Sequence, residues 1–323
     1  MPRALDRSPR VDLQASASAL DERVFAALVA VSGRLEADIE DSRSIAHVQW
    51  LATHVHLLGA IRSTHRSIRR LMGAGRGDEL DLTVDALPLT RIQLERVFLV
   101  LLLAENPKRW HTRYRKNAWK VLAEKFFRDR RTVGHLEPYR DYFGPNGQGI
   151  AALRAFGREM GVTEDEFQTL RREILEDTED DPRFKTWFIP DMPNPRKCLG
   201  LLSDPTRLRL AELFYPAYDS LSHFSHGGLA GVLGSAILRM PDAQGGAVNR
   251  EQFWSSAVLE TALPMSYVAA AFTATFLARE MADASGIREA LLAAWRPCLC
   301  DGVPLGMAVW DTWAAEILEA DRP

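Results

Sequence analysis

Apolar positions recur at three- and four-residue intervals from Leu20 almost to the end of the chain. No stretch alternates apolar and polar positions for long enough to make a strand. The pattern therefore predicts an all-α protein. After a flexible N-terminal arm, residues 1–18, one amphipathic helix is expected over Leu20–Ile39. Ser42 or Ser44 can cap the next, which should run to about Met72 and stop at "GAGRG". A third is predicted over about Val84–Ala104, with Pro88 in its first turns and "ENP" at its end. Pro107 starts a fourth that reaches roughly Arg130.

The middle of the chain is less regular. "GHLEPYRDYFGPNGQG" reads as a loop, followed by short helices near Ile150–Met160 and Thr163–Asp177. "EDDPRFKTWFIPDMPNPRK", rich in proline, reads as an ordered connector over the surface or as a lid. Asn194 and Pro195 open a short helix, and Asp204-Pro205 opens a longer one that continues through "YPAYDSLSHFSHGG". Beyond it lie a glycine-dotted helix, a long helix kinked at Pro264, and two more near Ile287–Trp295 and Leu305–Glu319. With no internal repeat and no linker composition, the expectation is a single all-α domain over 19–323, a bundle of about ten helices.

Polar residues in this apolar background are the informative ones. Tyr218, Ser222 and His226 stand at i, i+4 and i+8, so they lie within about 80° of one another on a helix. Leu210, Phe214 and Leu221 flank that stripe, which should border the core. A buried hydroxyl or imidazole without a partner costs about 1–3 kcal/mol, so something must answer these groups. The third predicted helix reads "LTRIQLERVFLVLLLAEN", with Arg91 and Glu95 at i, i+4 and an apolar run from Val97 to Ala104. Its ion pair must enter or abut the interior, and a buried charge has to be paired. The economical expectation is a network between the two helices, with Arg91 and Glu95 meeting Tyr218, Ser222, His226 and the adjacent His223. Such a network serves either as a clasp that fixes helix register or as a ligand pocket. In a catalytic pocket His226 would be the acid–base group, Arg91 the anion anchor and Glu95 the residue that orients it. A phosphate-bearing substrate undergoing hydrolytic or nucleolytic cleavage suits that set.

The pairing of Arg91-x-x-x-Glu95 in an apolar helix with a later Tyr218-x-x-x-Ser222-x-x-x-His226 resembles a bacterial family of helical proteins whose biochemical role is not assigned. The resemblance implies a helical core and a shared polar site at those five positions. A second pattern, Arg130-x4-His135 in "RRTVGH", is similar to the R-x(4–6)-H motif of HEPN-type helical ribonucleases, which are often toxins or defence effectors. It departs from that motif in Arg131, where Asn, Asp or His is usual, and in Gly134, which interrupts a helix.

Other histidines offer no metal site. His47, His54 and His65 share one helical stripe, but the rise of ~1.5 Å per residue separates them by about 10 and 16 Å, too far for one ion. No cofactor fingerprint is present: no P-loop, dinucleotide motif, G-x-S-x-G elbow, H-E-x-x-H or EF-hand. The expected cofactor and metal complement is none.

Charge is segregated although the net charge is only −3. Pro107–Arg131 carries ten Lys or Arg against two acids, with Trp110, Tyr114, Trp119, Phe126 and Phe127 interleaved. Glu159–Asp181 carries ten acids against two arginines. Cations beside aromatic faces suit RNA or a nucleotide, which makes 107–131 the alternative, non-catalytic binding surface for RNA or a protein partner. The two segments can instead neutralise each other, within the chain or across a homodimer. The three cysteines, Cys198, Cys298 and Cys300, are too few for a disulfide framework and read as reduced thiols. The most lipid-like window, Val258–Leu277, contains Glu260 and Pro264 and reads as a buried kinked helix, so no membrane partner and a cytoplasmic location are expected.

Overall fold

A computed structural model describes residues 45–74, 86–144, 147–175 and 189–225. Among them every regular element is a helix: α1 (Ile45–Ala74), α2 (Ala86–Glu105), α3 (Pro107–Val133), α4 (Glu137–Phe143), α5 (Gln148–Glu159), α6 (Glu164–Leu175), α7 (Pro195–Leu199) and α8 (Pro205–Ser225). The protein is all-α over this range, as the apolar spacing requires. The helices predicted at 20–39 and after Gly227 lie outside the described residues. The described helices fall into two compact units, one holding α1, α2, α7 and α8, the other lying within Asn106–Asn194.

In the first unit α2 is the central helix, packed against α1, α7 and α8. Its sequence explains the position: Leu94, Val97, Phe98, Val100, Leu101, Leu102 and Leu103 are all buried, so apolar side chains surround the axis instead of forming one stripe. Polar residues within α2 are matched to neighbours. Gln93, 1% exposed, donates to the Ile61 carbonyl at 2.8 Å. Arg96 donates to the Ala60 carbonyl and the Thr64 hydroxyl at 3.0 and 2.7 Å, which locks α1 against α2. At the far end of α2, Glu105 accepts from the backbone N–H and hydroxyl of Ser203 and from Arg207. Partial burial raises the Glu105 pKa, but these donors outweigh it and the net displacement is downward. Asp204 caps α8 by accepting from the Arg207 N–H at 2.8 Å. The helix continues through Pro216, whose ring is exposed.

The second unit is organised around α3. Asn106 caps it, its side chain accepting from the Arg109 N–H at 3.0 Å, and Pro107 takes the first position, where a missing N–H costs nothing. Trp119, Ala123, Phe126 and Phe127 from α3 meet Phe143, Ile150, Leu153, Phe167, Leu170 and Ile189 in one core. The indole N–H of Trp119 donates to the Leu153 carbonyl at 2.9 Å. Gly157 lies beneath that ring, where a β-carbon would stand 2.8 Å from the indole nitrogen. The same helix ends in a Schellman motif: Gly161 at φ 81°, its N–H on the Arg158 carbonyl and the Val162 N–H on that of Gly157. Thr163 and Glu166 then cap α6 reciprocally.

The stretch expected to be a loop after Gly134 contains the seven-residue α4. Its local sequence is weak for a helix, and Phe143 docks into the core against Phe126 at a ring separation of 5.1 Å. Packing overrides propensity there. Part of the proline-rich connector is ordered as foreseen. Lys120, 2% exposed, pairs with Asp191 at 2.7 Å, and Arg113 donates to the Asp191 carbonyl, which straps 189–194 onto α3.

Two outcomes follow. Gly157→Ala pushes a methyl into Trp119 and should lower stability by about 1–3 kcal/mol, measured by denaturant unfolding of the full chain. His65 is 5% exposed, and burial lowers its pKa from 6.5 to about 4. Because the unfolded chain takes up this proton first, stability should be fully present above pH 6.5, fall as pH drops towards 4, and level off below. That displacement is worth about 3 kcal/mol. A His65→Gln variant should show a flatter stability profile over the same range; an unchanged slope would exclude His65 as its source.

Candidate functional site

Arg91 and Glu95 are one helical turn apart on α2, and their side chains form an ion pair of 3.0 Å. Tyr218 and Ser222 are one turn apart on α8, the helix that packs most extensively on α2. The Arg91 guanidinium spans the two helices. Its Nε donates to the Ser222 hydroxyl and its Nη2 to the Tyr218 phenol, each at 3.2 Å. Ser222 in turn donates to the Tyr218 carbonyl at 2.9 Å, a back-bond that aims its lone pair at Arg91. The guanidinium carbon is 5.3 Å from the centre of the Tyr218 ring, within cation–π range.

Below the polar groups is an aromatic floor. Phe98, 1% exposed, sits two turns along α2 from Arg91. Its ring meets Tyr218 and Tyr215 edge-on at 5.9 and 6.5 Å. The electrostatics of the cluster are therefore those of a cation held between a carboxylate, two hydroxyls and ring faces. Arg91 is largely enclosed, with 15% of its side chain exposed, whereas Glu95 keeps 38%. The carboxylate is thus the more open side of the cluster.

No protein family, curated protein or solved structure matches this chain.

Four of the five residues expected to converge, Arg91, Glu95, Tyr218 and Ser222, do so. His226 and the side chain of His223 lie outside the described residues. Arg130 and His135 belong to the second unit. Arg130 stands in the last turn of α3; that helix ends at Val133, so His135 is beyond it and exposed. Sequence reading overlooked Phe98 and Tyr215, although the spacing held a signal: Phe98 is seven positions from Arg91, and Tyr215 three before Tyr218, both on the stripe side.

The basic segment is resolved differently from a stacking platform. Trp110, Trp119, Phe126 and Phe127 are buried, at 8% exposure or less, so they are core residues. Several of its cations already meet acids of the same unit: Lys116 with Glu166 at 2.6 Å, Lys120 with Asp191, and Lys125 with Asp129 at 2.9 Å. Partial burial raises the Glu166 pKa, and bonds from Lys116 and Thr163 pull it down further than that, for a net lowering.

Arg91 and Tyr218 should be energetically coupled. Tyr218→Phe is expected to cost about 1–2 kcal/mol in the native chain and nearly nothing in an Arg91→Ala background. A double-mutant cycle by urea unfolding measures this, and additive effects would mean the contact contributes nothing.

Proposed function

We propose that the Arg91–Glu95–Tyr218–Ser222 cluster is the recognition part of a hydrolytic site for a phosphate-bearing substrate. Arg91 is the anion anchor, since a guanidinium offers planar paired donors to phosphate oxygens. Glu95 holds it in orientation, Tyr218 offers a further hydroxyl donor, and Ser222, whose own proton goes to the Tyr218 carbonyl, accepts from the Arg91 Nε and fixes it. His226, one turn beyond Ser222 in the sequence, is the acid–base group, with His223 beside it. The observation that supports this reading is the Arg91 guanidinium shared between α2 and α8. A cation enclosed there is held ready, with its donors directed before any ligand arrives. The reading places the chain in the cytoplasm, as one all-α assembly of about ten helices. Among the described residues no helix is long and apolar enough to cross a membrane.

Turnover of a phosphate monoester and of a phosphodiester by the purified chain tests it. His226→Ala should lose at least about 100-fold in kcat while keeping its melting temperature. Arg91→Lys should raise KM more than it lowers kcat, because a point charge replaces a bidentate donor. A large fall in melting temperature on His226→Ala, with no turnover by the parent chain, would make the cluster a structural clasp.

A further inference from the structure

Among the described residues seven large apolar side chains are exposed, and five of them, Val121, Leu122, Leu136, Tyr139 and Tyr142, stand between positions 121 and 142. Each of the five is 43–56% open to solvent. Three border the same pair of core rings. Leu122 is one turn before Phe126 on α3, and the Tyr142 ring meets Phe126 edge-on at 5.8 Å. Tyr139 and Tyr142 meet Phe143 at 6.3 and 4.9 Å. The inner edges of both tyrosines are thus held by the core, while their outer faces stay in water. Single exposed apolar residues are ordinary, but a group of them around one aromatic anchor marks a contact surface. Tyrosine suits such a surface because it buries a large area at little entropic cost when its ring is already held.

The charges around this face decide what fits it. Residues 121–142 carry five Lys or Arg against four acids, so no strong excess of one sign draws a nucleic acid or an anionic membrane. Cations and acids are interspersed instead. On α3 Lys125 pairs with Asp129 at 2.9 Å, and both lie within about 60° of Leu122 around the helix. On α4 Glu137 pairs with Arg140 at 2.6 Å, the two bracketing Tyr139 in the sequence. The four side chains are 43–78% exposed, so each can meet a second charge from outside.

We propose that this face of α3 and α4 docks a second copy of the chain through a two-fold contact. In such a contact a patch meets its own copy, so its charges must complement themselves. Lys125 with Asp129 and Glu137 with Arg140 meet that requirement, since both signs stand on both helices beside Leu122 and the tyrosines. The contact is face to face within the second unit, not the basic segment 107–131 against the acidic one, and it needs nothing from the Arg91 cluster.

Sedimentation equilibrium of the full chain, from low micromolar to submillimolar concentration, tests this. The parent should be a dimer that dissociates on dilution. Leu122→Asp should raise the dimer Kd at least about tenfold with an unchanged circular-dichroism spectrum, because the position is half exposed on a helix. Charge exchange gives the second arm. An acidic variant, Lys125→Glu with Arg140→Glu, and a basic one, Asp129→Lys with Glu137→Lys, should each be monomeric alone through like-charge repulsion. Mixed in equal amounts they should associate as heterodimers. A parent that stays monomeric over the whole range overturns the proposal, whatever else covers the face. So does a dimer that Leu122→Asp leaves intact, or a mixture of the two charge variants that remains monomeric.

Discussion

A guanidinium enclosed between two helices is the constraint on which the first unit depends. Arg91 cannot be held at the α2–α8 contact unless its donors are answered, because desolvating an unpaired cation costs more than any single packing contact returns. Glu95 answers from its own helix, and Tyr218 and Ser222 answer from the other. Sliding α8 by one residue would turn both hydroxyls by about 100° and break the two bonds that cross from Arg91 to it. The polar cluster therefore selects a register that the apolar residues around it, Phe98, Leu210, Phe214 and Leu221, would otherwise leave loosely defined. The same arrangement suits ligand recognition, since donors fixed in advance need no reorganisation when an anion arrives.

The second unit uses charge in a different way. Its long basic helix would repel itself in isolation, yet several of its cations are spent locally. Lys120 is drawn wholly inside to reach Asp191, and its alkyl stem fills the space that an apolar residue would otherwise take. Lys116 reaches an acid that is simultaneously part of the α6 cap. One carboxylate, Glu166, thus joins helix initiation to interhelical packing.

Helix existence was legible because the local signals agree. Asn106 with Pro107, Asn194 with Pro195, and Asp204 with Pro205 each combine a side-chain acceptor with a residue that lacks the N–H a first turn cannot use. Those three starts are observed as expected. α4 was missed because "EPYRDYF" has neither a good cap nor an apolar period, and only the core beneath Phe143 and Tyr142 holds it. Meeting of the Arg91 and Tyr218 helices was also legible, on the principle that buried polar groups must find one another. The aromatic residues of 107–131 were the harder case. Ring spacing alone does not distinguish an outward stacking face from a core stripe, and here the core took four of the five, with Tyr114 half-buried.

By itself, then, the sequence determined the all-helical class, most helix starts, and the pairing of an ion pair on one helix with hydroxyls on another. Each of these rests on interactions within a turn or two of backbone, or on the strict need to satisfy a buried charge. Tertiary structure alone decided that the described helices fall into two units, that α4 forms, and which cations are neutralised. Those outcomes depend on which surfaces meet across many residues of chain, and a side chain's neighbours at that range are set by the summed packing of all the helices, not by its own spacing.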